Sequence, residues 1–215
     1  MARARISPVR NPRSFRRRPG YKAPRSITLI VREGETEQEY FKALRVHYGL
    51  TTAEIVIAED TKGSAPISVV NYAEEKAREP GGYDRIYCVF DRDHHESFGR
   101  AREKIRDLAR RQKRPWPIEE AISIPCFEVW ILLHHERTDA PFPDCDAVIA
   151  HLRTIIRGYK KADAGIVQDL MGRIDTAMDN ARWLEGRAAM NDYNPYTQVH
   201  RILECFQSLA TQETP

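Results

Sequence analysis

Ile86-Tyr87-Cys88-Val89-Phe90 is an unbroken apolar run, rich in β-branched and aromatic side chains, that comes after the chain-breaking Pro80-Gly81-Gly82. Such a run reads as a strand covered on both faces, and strands of that kind belong to parallel sheets with helices on either side. Similar short runs stand at 26–31 (SITLIV), 53–58 (AEIVIA) and 120–124 (EAISI). Helical patterns separate them: one through about Tyr48, one over 66–78 that starts on Pro66, and a highly charged one over 97–114. The order β-α-β-α-β predicts an α/β fold with a mainly parallel sheet and flanking helices.

The residues at the strand ends point to chemistry. Asp91 and Asp93 come directly after the central run, where a parallel strand emerges at the carboxyl edge of the sheet. Two carboxylates one residue apart there can converge on a hard cation such as Mg²⁺. The same pair could simply form a polar turn that caps the next helix. Glu33 stands in the same relation to the first strand. Beyond it, Gly34 is expected to supply a tight turn with unusual backbone angles. Thr36 is expected to cap the next helix, with Glu39 completing a capping box. Glu35 and Glu37 then need no more explanation than the favourable helix dipole. After the fourth run, Pro125-Cys126-Phe127-Glu128 leads into Val129-Trp130-Ile131-Leu132-Leu133 and His134-His135. Glu128 is an acid embedded in apolar sequence, and burying a carboxylate is costly unless it is paired or bound to a cation.

Charge divides the chain. Nine of the 34 Lys and Arg residues precede Ser26 with no acid among them, leaving 25 basic groups against 31 acidic ones. Residues 1–25, with Arg16-Arg17-Arg18 and four prolines, read as an arm without a packed core. It is either a phosphate-binding segment or a solubilising tail. An α/β core is expected over 26–140, and helices over 147–156, 165–184 and 198–210 make 141–215 a helical part packed on it. No run is long enough to span a bilayer and no secretory signal is present, so the expectation is a cytoplasmic protein. The four cysteines form no C-x-x-C pair and lie mostly in apolar segments, so reduced core thiols are expected, and neither disulfides nor zinc. Lys62, Arg92 and Lys160 are the body's candidates for holding phosphate, each with solvated surface charge as the plainer reading. His94 and His95 come next to the acidic pair and could bind metal or shuttle a proton, although adjacent surface histidines commonly do neither.

Several motifs together resemble one family. They are Ile30-Val31-Arg32-Glu33-Gly34-Glu35-Thr36-Glu37 with Tyr40-Phe41, then Val89-Phe90-Asp91-Arg92-Asp93, then the run from Ser123 to His134, and finally Asn194-Pro195. The combination is similar to RloB-like proteins, and strand-E-G followed by strand-D-x-D is similar to Toprim domains more widely, including OLD-type nucleases. The resemblance covers the chain from about Ile27 onward and leaves out the arm. It implies that the core over 26–140 is Toprim-like, with a Rossmann-like sheet, and it implies a role in bacterial antiphage defence and abortive infection beside a partner ATPase. It also implies that Glu33, Asp91 and Asp93 carry Mg²⁺ or Mn²⁺, with Glu128 at a second metal or its outer shell. Two positions depart from the pattern: Arg32, which could hold a phosphate or simply point outward, stands where a small residue or cysteine is expected, and Ile124 where asparagine is common.

Hydrolysis of phosphodiesters in DNA or RNA suits these residues. Two metals about 3.5–4 Å apart can activate water and stabilise the leaving oxygen, or Glu33 can act as general base. A topoisomerase is disfavoured for want of a nucleophile-bearing domain. A D-x-D sugar transferase would leave Glu33 and Glu128 unused. The remaining alternative is a non-catalytic Toprim-fold sensor or adaptor that binds nucleic acid or the ATPase. Nucleic acid, the ATPase and a further copy of the chain are the expected partners, with no membrane.

Overall fold

In the computed structural model, residues 26–52, 55–58, 63, 65–92, 95–111, 116–190 and 193–212 are described. The expected phosphate contacts Arg16, Arg17, Arg18 and Lys62, and also Asp93 and His94, lie outside them.

Five strands form one sheet in the order β2-β1-β3-β4-β5. β1 (Thr28–Arg32), β2 (Ile55–Ile57), β3 (Arg85–Asp91) and β4 (Ile118–Ile124) run parallel, and β5 (Tyr196–Thr197) pairs antiparallel with β4. Successive side chains of a strand point to opposite faces, and both faces here are covered. Ile30, Tyr87, Val89 and Ala121 pack into one core with α1 (Glu35–His47), α4 (Glu128–Leu133) and the later helices. Leu29, Val31, Ile86, Cys88 and Phe90 pack into a second core with α2 (Pro66–Ala77) and α3 (Phe98–Ala109). That double burial is why the strands read as unbroken apolar runs. The architecture is a Rossmann-like α/β fold.

The connections fix where a site can form. From β1 the chain moves outward to β2, and from β3 it moves the other way to β4, so the sheet changes direction between β1 and β3. At such a switch point the connections leave in opposite directions and open a crevice beyond the carboxyl ends of the strands. Glu33 comes directly after β1 and Asp91 ends β3, at the two sides of that crevice.

The helices, strands and disulfide pairing depart from expectation in three places. The helix expected over 165–184 divides into α6 (Ala164–Leu170), a 3₁₀ turn (Met171–Arg173) and α7 (Ile174–Arg187), the turn falling at Gly172, a weak helix former. The last third, which carries no legible strand signal, nevertheless supplies β5 between α7 and α8 (Val199–Gln212). Two residues are too few for any alternation to show. Cys126 and Cys145 are disulfide-bonded, against the expectation of reduced thiols, because α5 (Cys145–Ile155) begins beside the β4–α4 turn. Cys88 and Cys205 are free and buried, as expected. No helix among the described residues is long and apolar enough to cross a membrane.

Candidate active site

Of three adjacent parallel strands, β1 leads directly into Glu33, β3 ends on Asp91, and β4 is followed by the turn Pro125-Cys126-Phe127 before Glu128 opens α4. Neighbouring strands are about 4.8 Å apart, so Glu33, Asp91 and Glu128 arrive at one edge from three consecutive positions in the sheet. They line a cavity of about 350 Å³ together with Gly34, Glu35, Thr36, Glu37, Phe127, Lys161 and Ala162.

The carboxylates are held differently. Glu33 Oε2 accepts a hydrogen bond from the Asp91 backbone N–H at 3.3 Å, and its Oε1 lies 3.1 Å from His95 Nε2. Asp91 Oδ1 is buried without a hydrogen-bond partner among the described residues. Burial pushes the Asp91 carboxyl well above the usual carboxylate range. The charges of Glu37, Glu128 and Glu33 push the same way, and the Phe127 N–H opposes them. Glu128 is 1 % exposed. Its Oε1 faces Lys161 Nζ at 3.4 Å as an ion pair but makes no hydrogen bond.

Glu37 corrects the reading of the first helical turn. It is buried and points into the cavity, where burial, reinforced by the Glu128 charge, pushes its carboxyl up to about 7; its own backbone N–H, Lys161 and Arg32 pull the other way. The helix dipole alone therefore does not account for it. Thr36 is not the cap: Gly34 occupies that position, and α1 has no side-chain cap. Nor does Gly34 adopt unusual angles, since φ −110° and ψ 168° are ordinary extended backbone. A Cβ there would meet the Glu37 carboxylate, which would have to shift to admit it. The sequence does carry a signal for Glu37, which stands at helical spacing with the buried Tyr40, Phe41 and Leu44.

The basic candidates also change. Lys160 is exposed and does not line the cavity; its neighbour Lys161 does. Arg92 is half-buried and is likewise absent from the lining. Arg32 neither points outward nor enters the cavity, and its guanidinium donates to Gln38 Oε1. Tyr159, which carries no signal in the sequence, is 3 % exposed with a hydroxyl that lacks a hydrogen bond. Burial pushes its phenol up, and the nearby charges of Glu128 and Glu37 add to the shift.

An all-carboxylate donor set whose buried oxygens at Asp91 and Glu128 lack hydrogen bonds fits a hard divalent cation. Each such oxygen would lose its desolvation penalty on coordination. Glu33, Asp91, Glu128 and Glu37 are the buried or half-buried acids of the cavity that could hold one, and the exposed Glu35 also stands at its wall.

A family model described as RloB-like protein matches residues 28–205. No curated protein and no solved structure gives a match.

Proposed function

The chain belongs to the RloB-like family, and on that premise we propose that it is a metal-dependent nuclease with a Toprim-type core, cutting DNA or RNA as an effector of antiphage defence alongside a partner ATPase. The observation that carries this reading is the convergence of Glu33, Asp91, Glu128 and Glu37 on one cavity at the switch point of the sheet, with Lys161 at its rim.

Glu33, Asp91, Glu128 and Glu37 would hold Mg²⁺ or Mn²⁺, which when bound supplies Lewis-acid stabilisation of the phosphoryl oxygens and an acidified water. Lys161, whose side chain is 52 % exposed, can turn from Glu128 toward an incoming phosphate. Alternatively Glu33, whose Oε1 lies 3.1 Å from His95 Nε2, would leave the metal to the other acids and take a proton from the attacking water as the bond from phosphorus to the leaving oxygen breaks. The burial of Glu37 and Asp91 favours their protonated forms, so the cluster gains most from a cation at neutral pH and above.

The test is cleavage of a mixed DNA and RNA panel by the full chain with Mg²⁺ or Mn²⁺, beside an EDTA control and Asp91→Ala, with and without the ATPase. Cutting that needs the metal is expected, and Asp91→Ala should lower it by more than the roughly 10–100-fold typical of outer-shell losses. Absence of cutting in every arm would overturn the enzyme in favour of a sensor or adaptor that binds without cleaving.

A further inference from the structure

We propose that Cys126, Cys145 and Glu128 form, once the disulfide is opened, a second metal site with thiolate and carboxylate donors for a borderline-soft divalent ion of the Zn²⁺ class, immediately behind the hard-cation cluster. Ligand atoms of these three residues all lie within 4.8 Å of one another. Cys145 Sγ is 3.4 Å from Glu128 Oε2, and the Cα atoms of the two cysteines are 5.6 Å apart. The spacing in sequence hides the site, because Cys126 lies in the β4–α4 turn while Cys145 opens α5, 19 residues later.

Donor chemistry separates this site from its neighbour. The strand-end acids offer only oxygen, which suits Mg²⁺, whereas two sulfurs and one carboxylate suit Zn²⁺ or Co²⁺ and leave a fourth position open. Glu128 is the residue with a claim on both, since its Oε2 faces Cys145 and its Oε1 is buried without a hydrogen bond. Lys161 Nζ now lies 3.5 Å from Cys145 Sγ and 3.4 Å from Glu128 Oε1, where it serves as the local cation. Its half-exposed side chain can withdraw to solvent when a metal replaces it.

The disulfide and the metal exclude each other, because a sulfur in a disulfide carries no thiolate charge. Opening the bond is a two-electron reduction. With a trialkylphosphine as reductant, phosphorus takes the oxygen of one water and becomes the phosphine oxide, and the two protons of that water end on Cys126 and Cys145. Binding of the ion then displaces those protons to solvent. The site therefore exists only in the dithiol protein, and occupancy by Zn²⁺ would pull Glu128 from the acidic cluster. Its existence does not depend on nuclease activity at the neighbouring cluster.

Titration of Co²⁺ into the phosphine-reduced full chain tests it by absorbance. The expected result is a thiolate-to-cobalt charge-transfer band that saturates at one equivalent and is displaced by Zn²⁺. It should be absent before reduction and lost in Cys145→Ser, where Cys145 is only partly buried, but retained in Asp91→Ala. Glu128→Gln should weaken the affinity by about tenfold or more. No band in the reduced wild-type chain, or a band undiminished in Cys145→Ser, would overturn the site; an unchanged affinity in Glu128→Gln would overturn the role of the carboxylate.

Discussion

Helices α1 and α4 meet twice, and the two meetings differ. At their first turns they bring Glu37 and Glu128 together as like charges around a cavity. Deeper in, Tyr40 Oη pairs with His134 Nε2 at 3.0 Å, and His134 Nδ1 lies 2.9 Å from the Trp130 carbonyl oxygen. Both places are buried and polar. At the second, the Tyr40 hydroxyl and both His134 ring nitrogens are paired within the protein, Trp130 Nε1 alone lacking a hydrogen bond, and Tyr40 stacks edge-on against Phe127 and Trp130 there. The first is left with oxygens that lack hydrogen bonds. Buried polar groups with partners specify a core, whereas buried acids without them mark a place that something else must complete.

The contrast would break most visibly at His134. Replacing it with alanine removes a fully buried ring and leaves the Tyr40 hydroxyl without a partner, at an expected cost of about 3–4 kcal/mol at neutral pH. Burial pushes the imidazole down to about 3 against some opposition from its backbone bonds, so the folded protein refuses a proton that the unfolded chain accepts near pH 6.5. Wild-type stability supported by this group is full above about pH 6.5 and is lost as pH falls toward 3. The penalty for His134→Ala should therefore shrink on acidification. Denaturant midpoints for both proteins across this range would show it, and a cost independent of pH would mean that the ring titrates normally.

Glu37 has the opposite sign. Its carboxyl is raised to about 7 from an ordinary 4.5, so the folded chain keeps a proton that the unfolded chain has released. Without metal, stability that is full below about pH 4.5 is lost as pH rises through 7, by an amount on the order of 3 kcal/mol. In EDTA, Glu37→Gln should thus be more stable than wild type at pH 8, by about 2 kcal/mol, and nearly equal to it at about pH 4.5. Added Mg²⁺ should narrow the gap by stabilising wild type preferentially. A variant less stable than wild type at pH 8 in EDTA would show that Glu37 is satisfied inside the protein as His134 is.

The sheet is legible in the sequence because buried parallel strands announce themselves in a few residues; their ends carry Glu33 and Asp91 with them, and the apolar run after β4 marks Glu128 at the start of α4. The rest of the site depends on distances that no local pattern records. Glu37 is visible as part of the α1 stripe with Tyr40 and Phe41, but an acid in a first helical turn has a sufficient local explanation, and the more general reading displaces the specific one. Lys161 comes from the loop between α5 and α6, and only the packing of that loop over the sheet edge distinguishes it from Lys160. Cys126 and Cys145 meet because α4 is short and the chain turns back after it. Such pairs are properties of the fold, and motif spacing is silent about them.

Lys161 gives the smallest expected change in stability and the sharpest division between structure and function. Its ion pair with Glu128 joins a half-exposed amine to a buried acid at 3.4 Å, and solvent screening on the lysine side limits what the pair can contribute to less than about 1 kcal/mol. Lys161→Ala should leave the denaturation midpoint nearly unchanged. A charge-assisted contact to a substrate phosphate is worth about 1.5–3 kcal/mol, so KM for nucleic acid should rise by about tenfold or more. Lys160→Ala, at an exposed position outside the cavity, is the matched control and should alter neither quantity. If Lys161→Ala instead loses about 2 kcal/mol of stability with KM intact, more than a screened pair can supply, the lysine belongs with the satisfied pairs of the core, and the acidic cavity has a counterion of its own.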